Sequence, residues 1–165
     1  MPFEFMAVDV NLRWGVPMEP KQFLDSIYLG DRGCKCVLIE GYIERLIMVV
    51  DLISRILSES GEWDFYQDEN IADGRIVFSR VKSVEFSPPG FIPNGFIDDI
   101  EVEGSELGPD GKPLYLFVAS ISGTRNASTV TTAGNTTERA EVILRIKAGG
   151  VHLEDPRFPG KEIRD

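Results

Sequence analysis

Apolar and polar residues alternate along several short stretches of the chain, which is the pattern of β-strands with one buried face. Near the N-terminus, Val8, Val10, Leu12 and Trp14 share one face of such a strand. The same pattern predicts strands at 35–41, 45–56, 75–79, 83–87, 99–103, 114–122, 139–147 and 151–154. Turn residues separate these stretches, as in the all-β folds that pack two sheets together. The expected fold class is therefore mainly β, an antiparallel β-sandwich-like domain.

Two segments can also be helical. A short N-terminal helix is predicted at 20–29, because Phe23, Leu24 and Ile27 fall at helical spacing between Pro20 and Gly30. The stretch 34–57 is ambiguous. Its β-branched residues and the turn at Gly41 favour two antiparallel strands, 35–41 and 45–56. A helix over 44–57 remains the alternative.

The length of 165 residues predicts a single β-rich domain, 1–165. Residues 1–18 are an expected N-terminal extension, and the polar stretch 123–137 is an expected flexible loop or long hairpin. The expected core is apolar and comes from several strands: Leu38, Met48, Val50, Val77, Phe86, Leu116, Val118, Val142 and Leu144.

The net charge of the chain limits the kinds of molecule that it is expected to bind. The chain has 17 Lys and Arg against 27 Asp and Glu, a net charge of −10. Such a charge repels phosphate backbones and anionic lipid, so we expect neither a nucleic acid nor a membrane as partner, whereas a basic protein partner is permitted. The N-terminus carries Glu4 and Asp9 and does not resemble a signal peptide, so a cytoplasmic location is expected. The oligomeric state does not follow from the composition.

Candidate catalytic and metal-binding groups are few. His152 is the single histidine, expected on the surface at the end of a strand. Cys34 and Cys36 would share one face of a strand, too far apart for an unstrained disulfide, and are expected to pack at the edge of the core. No cofactor, metal site or enzymatic activity is expected. The alternatives are a small hydrolase or metal-dependent enzyme that uses His152 and nearby carboxylates, and weak calcium binding near Asp68.

Two acidic segments are the most informative feature of the sequence. Residues 59–73 contain six carboxylates and no basic residue, and Trp63, Phe65 and Tyr66 lie among them. Residues 98–110 contain six more, again without a basic residue. Aromatic residues among carboxylates suit the recognition of a basic protein surface. The predicted binding residues are Trp63, Asp64, Tyr66, Asp68, Glu69, Asp98, Asp99 and Glu101. The alternative is that the aromatic residues anchor the core and the carboxylates only solvate loops.

The chain also resembles a known group of domains. The resemblance rests on short blocks within residues 20–155: Phe23-Leu24, Tyr28 to Arg32, Cys34-Lys35, Val50-Asp51, Ile53 to Arg55, Trp63, Tyr66, Asp68-Glu69, Ile71, Asp73-Gly74 and Val77-Phe78. These blocks are similar to small uncharacterised β-rich bacterial domains, which in turn resemble some immunity proteins of polymorphic toxin systems. The resemblance implies a β-sandwich-like fold and no established activity. Together with the charge, it predicts a non-catalytic, acidic immunity-type protein that neutralises a basic toxin.

Overall fold

The computed structural model describes residues 18–55, 70–93, 95–126 and 137–164. Helix α1 spans Pro20–Asp25, and a 3₁₀ turn spans Gly41–Ile43. The strands are β1 (Ile27–Tyr28), β2 (Arg32–Glu40), β3 (Arg45–Val50), β4 (Leu52–Arg55), β5 (Ile71–Ala72), β6 (Arg75–Ser79), β7 (Ser83–Ser87), β8 (Gly95–Leu107), β9 (Pro113–Asn126), β10 (Thr137–Ala148), β11 (Gly150–Glu154) and β12 (Glu162–Ile163). The strand predicted around Val8 to Trp14 lies outside the described residues.

The strands form two antiparallel sheets. The larger has nine strands in the order β12-β11-β6-β3-β2-β8-β9-β10-β7, and the smaller has three in the order β1-β4-β5. These sheets and the single short helix of the described residues confirm the predicted mainly β, antiparallel fold class.

The nine-stranded sheet folds back on itself. Strands β6 and β7 are close in sequence but far apart in the strand order, so the three residues between them bring β7, at one end of the sheet, close to β6, the third strand from the other end. Gly149, between β10 and β11, lies at the same corner of the fold, and its N–H donates to the carbonyl of Ser79 at the end of β6 at 2.8 Å. A Cβ atom on Gly149 would lie 2.6 Å from Arg80 Nη1 and 2.9 Å from Arg80 Cβ, so a larger residue here would displace the Arg80 side chain. The core lies inside the fold, where the rings of Phe78 and Phe117 meet edge to face at 5.1 Å.

The core prediction is correct in β3, β6 and β10 and wrong in parts of β2 and β9. Met48, Val50, Val77, Val142 and Leu144 are buried, and Phe86 is half-buried against them. Leu38, in contrast, is 46% exposed, because the strand that holds it has an open edge. In β9, Phe117, Ala119 and Ile121 are buried in the core, whereas the predicted Leu116 and Val118 are only half-buried.

Two predicted element bounds also change. The helix ends at Asp25 rather than residue 29, because Ser26 bonds back to the Phe23 carbonyl and Ile27–Tyr28 pairs with β4. The described part of the predicted strand 45–56, residues 45–55, is extended, not helical, but it breaks at Asp51 into β3 and β4. The Asp51 carboxylate accepts hydrogen bonds from the Gly33 and Leu52 amides at 3.0 and 2.7 Å, which holds the break.

The hairpin prediction for 123–137 is refined. The β9–β10 ladder continues as far as the pair Asn126 and Thr137. Residues 127–136 lie outside the described residues.

Candidate binding face on strand β8

The second acidic segment forms most of β8, and the strand separates its apolar and acidic side chains. Ile97 and Ile100 are buried in the core, and Val102 is half-buried. Asp99, Glu101 and Glu103 are exposed. Two irregularities in the pairing with β9, at 97/99 and 102/104, interrupt the strict alternation. The strand thus presents a row of carboxylates, Asp99, Glu101 and Glu103, called here the β8 acidic row.

The structure divides the carboxylates of this segment into two groups. Asp98 accepts a hydrogen bond from the Ser122 hydroxyl, Glu106 pairs with Lys147 at 2.8 Å, and Asp110 pairs with Arg80 at 2.9 Å. These three therefore serve the fold. Within the described part of the chain, no ion pair joins a carboxylate of the β8 acidic row to a basic side chain. The row is the part of the segment that is available to a partner.

A cleft of about 230 Å³ lies where helix α1 packs beside β8. Its walls carry one ammonium group, Lys21, and three carboxylates, Asp25, Asp99 and Glu101. Leu24, Ile100 and Val102 supply its apolar lining. The Lys21 ammonium is held by Asp25 at 2.7 Å. The α1–β8 cleft therefore combines excess negative charge with apolar surface.

The ionisation of the cleft reflects this excess. A hydrogen bond with Asp99 and repulsion from Asp99 raise the pKa of Glu101 above its ordinary value, and Glu103 adds to the repulsion. Hydrogen bonding and attraction from Asp25 raise the pKa of Lys21, and Glu101 and Asp99 add to the attraction. A further cation in this cleft would relieve the repulsion between Asp99 and Glu101.

The predicted binding residues are only partly placed. Asp98, Asp99 and Glu101 lie on one strand, and Asp98 is engaged by Ser122. Trp63, Asp64, Tyr66, Asp68 and Glu69 lie outside the described residues. The sequence did not reveal Lys21, Leu24 and Asp25 as walls of the cleft. The spacing of Lys21 and Asp25 predicts a helical ion pair, but nothing local shows that the helix packs against a strand more than seventy residues later.

His152 is buried, which corrects the expectation of a surface histidine. Only 2% of the residue is exposed, because β12 pairs beside it and brings Glu162 within 3.7 Å of Nε2. Nε2 also lies 3.3 Å from Glu154, whose carboxylate is paired with Arg45 at 3.2 Å. Nδ1 has no hydrogen-bond partner among the described residues. Burial lowers the pKa of His152, and the hydrogen bond with Glu154 opposes that shift.

The two cysteines do not share a face. The pairing of β2 with β3 shifts between Cys34 and Cys36, so Cys34 is buried and Cys36 is exposed. Burial raises the pKa of the Cys34 thiol to about 11. This thiol therefore stays protonated at neutral pH and is a poor nucleophile.

The described residues contain neither a metal-binding cluster nor a membrane-spanning helix. No three His, Cys, Asp or Glu side chains are placed to hold a metal ion. No helix there has the length and apolar character needed to cross a bilayer.

Residues 18–165 match the model of a family of unknown function, DUF6258. This agrees with the expected resemblance to an uncharacterised family and gives no link to immunity proteins. No curated protein and no solved structure matches the chain.

Proposed function

The chain belongs to DUF6258, a family of unknown function, and we propose that it is a non-catalytic binding protein that receives a basic side chain of a protein partner in the α1–β8 cleft. The observation that carries the proposal is the composition of this cleft. Three carboxylates face one ammonium group over an apolar lining.

Lysine and arginine side chains fit such a cleft in both of their parts. Their aliphatic stems can pack on Leu24, Ile100 and Val102, while the charged head meets Asp99 and Glu101. Arginine is the better fit, because its planar guanidinium can bridge two carboxylates at once. The remaining exposed carboxylate of the β8 acidic row, Glu103, extends the negative surface beside the cleft.

The finer proposal is that the partner is a toxin domain and that this chain is its immunity-type inhibitor. A nuclease toxin needs a cationic cleft to hold phosphate, so an acidic inhibitor can block that cleft and is attracted to it over long range. The net charge of −10 supports this role. The first acidic segment, with Trp63, Asp64, Tyr66, Asp68 and Glu69, remains a predicted second part of the surface.

The hydrolase alternative finds less support. The His152 side chain is 3% exposed and lies between Glu154 and Glu162, so a substrate does not reach it without a change in the fold. A general base has to come within hydrogen-bond reach of the substrate. The geometry of His152 favours a structural role.

The test uses two pairs of neutralising substitutions. The site variant is Asp99→Asn with Glu101→Gln, and the matched control is Glu85→Gln with Glu141→Gln, which removes the same charge from exposed positions on β7 and β10. The probe is the protein encoded by the reading frame directly upstream, with an oligo-arginine peptide as a generic cation. We expect the site variant to associate with the probe protein about tenfold more slowly in stopped-flow measurements at low salt, because steering and the cleft contacts are both lost.

The control pair separates the cleft from net charge. If both variants slow association equally, only the total charge matters and the cleft is not the site. Unchanged association in both contradicts the binding proposal. If the upstream product does not bind but the peptide binds in a cleft-dependent way, the immunity role fails while the basic-partner proposal stands.

A further inference from the structure

Strand β2 has one open edge. On one side β2 pairs with β3 from Cys34 to Glu40, whereas on the other side it pairs with β8 only from Arg32 to Cys34. Along Lys35 to Glu40, no described strand pairs with that second side. Here this stretch is called the β2 outer edge.

The surface around this edge is apolar. Leu38 is 46% exposed and Ile39 is 56% exposed. Tyr42 is fully exposed in the 3₁₀ turn that follows, and Ile92 is 83% exposed. A groove of about 440 Å³ lies beside the first half of the edge, lined by Cys36, Val37, Phe86 and the turn around Ile92. Natural proteins seldom leave an apolar strand edge uncovered, because it is a template for pairing with another strand.

We propose that a second copy of this chain covers the β2 outer edge by antiparallel pairing of the two β2 strands. The distribution of charge along the edge is the reason for proposing a second copy. Two molecules of net charge −10 repel each other over most of their surface, but the edge is neutral, with Lys35 at one end and Glu40 at the other. Antiparallel pairing puts the positive end of each copy beside the negative end of the other.

The two-fold symmetry of the dimer restricts the register of the two β2 strands. When both copies use the same edge, the two-fold axis is perpendicular to the sheet, and each residue faces a position of the same parity on the other strand. Centring the pairing on Lys35 to Glu40 places the axis at Val37 or at Leu38. By this count Lys35 lies one residue away from the position opposite Glu40 of the second copy, and the irregularity in β2 between Cys34 and Cys36 interrupts the alternation of faces at Lys35.

The existing ion pairs of these ends do not block the arrangement. Lys35 contacts Asp73 at 2.5 Å, and Glu40 lies 3.5 Å from Arg45. All four groups are at least 30% exposed, so the attraction at each end adds to the existing pairs. The contact is independent of the α1–β8 cleft.

The first test is the oligomeric state of the full chain. We expect light scattering coupled to size exclusion to give twice the 18.4 kDa chain mass as loading rises from about 1 µM to about 1 mM, the range of weak to moderate dissociation constants. Ile39→Lys should return the protein to a monomer over this range. The matched control is Leu107→Lys, which changes an exposed leucine at the end of β8. This variant should remain a dimer. Circular dichroism confirms that both variants are folded.

The second test reads the register. In a Cys36→Ser background, Val37→Cys and Leu38→Cys are made separately and oxidised. One of the two should form a disulfide-linked dimer, since only the residue at the axis meets its own copy within disulfide distance.

Two results would overturn the proposal. A wild-type monomer over the whole range excludes the dimer, and a dimer that Ile39→Lys leaves intact places the interface elsewhere. If the wild type is a monomer and Leu12→Lys makes it dimeric, the N-terminal segment of the same chain covers the edge instead. A failure of the cleft experiment does not affect any of these results.

Discussion

The His152 side chain is an ionisable group that the fold keeps from water. A neutral imidazole donates from Nε2 to Glu154 and leaves Nδ1 without a partner among the described residues. Glu162 lies 3.7 Å from it on β12, Arg164 follows that strand and opposes its protonation, and Arg45 holds Glu154 from β3. The site thus ties the last described strand to the body of the sheet.

The lowered pKa of His152 predicts how stability depends on pH. In the unfolded chain His152 takes up a proton near pH 6.5, whereas in the folded chain burial delays protonation to lower pH. The unfolded state therefore binds more protons below pH 6.5, and the contribution of His152 to stability is lost as the pH falls through this window. His152→Gln, which keeps a donor for Glu154, should remove this part of the pH dependence. Urea unfolding between about pH 8 and pH 5 measures it.

Wild type and His152→Gln have to be measured side by side. A molecule this acidic also gains stability on acidification, because its carboxylates become neutral and repel one another less. The informative quantity is the difference between wild type and variant at each pH. Parallel curves for wild type and His152→Gln would show that His152 has the same pKa in the folded and unfolded chains.

Strand β9 shows which faces of a strand the sequence can assign. Both faces of residues 114–119 are largely apolar, so polarity does not distinguish them there, and the prediction of Leu116 and Val118 as core residues is wrong. Phe117 occupies the interior because its ring fits against Phe78 across the folded sheet. By contrast, Val142 and Leu144 were assigned correctly, because charged residues alternate with them in β10.

The assignment of β9 is testable by neighbouring truncations. Phe117→Ala should lower the free energy of unfolding by about 3–5 kcal/mol, as for other buried aromatic residues, because it opens a cavity beside Phe78. Leu116→Ala removes a half-buried side chain and should cost less than half as much. Chemical unfolding of the two variants decides the question. A greater loss for Leu116→Ala would put the core on the other face.

Long-range contacts explain the other differences between prediction and structure. The extended character of 45–56 followed from its β-branched residues, but the break at Asp51 depends on an amide of Gly33 from another strand. The burial of His152 depends on β12, a two-residue strand too short to produce a periodic pattern. The α1–β8 cleft could not be predicted from the sequence for the same reason. The acidic character of β8 is plain in the sequence, whereas the helical wall of the cleft comes from α1, more than seventy residues earlier in the chain than the cleft residues of β8.

The molecule as a whole carries a net charge of −10, and the β8 acidic row places three of its carboxylates close together on one strand. The pKa of Glu101 is raised in the folded state by hydrogen bonding and repulsion from Asp99. A carboxyl group with a raised pKa destabilises the folded state once it is ionised, so at neutral pH this row opposes folding. Such a cost is typical of a surface that serves binding rather than stability.

The same neutralised variants test this cost. Asp99→Asn with Glu101→Gln should raise the urea midpoint of the isolated protein at about 10 mM salt, where charges interact over about 30 Å. The gain should shrink at about 1 M salt, where that distance is about 3 Å. The control pair should gain less, because Glu141 accepts a hydrogen bond from Ser120 and Glu85 lies opposite Arg145. An equal gain in both would reflect net charge alone, and a loss in the site variant would mean that the row supports the fold. A variant that is more stable yet slower to bind is the outcome that only a binding role for the row explains.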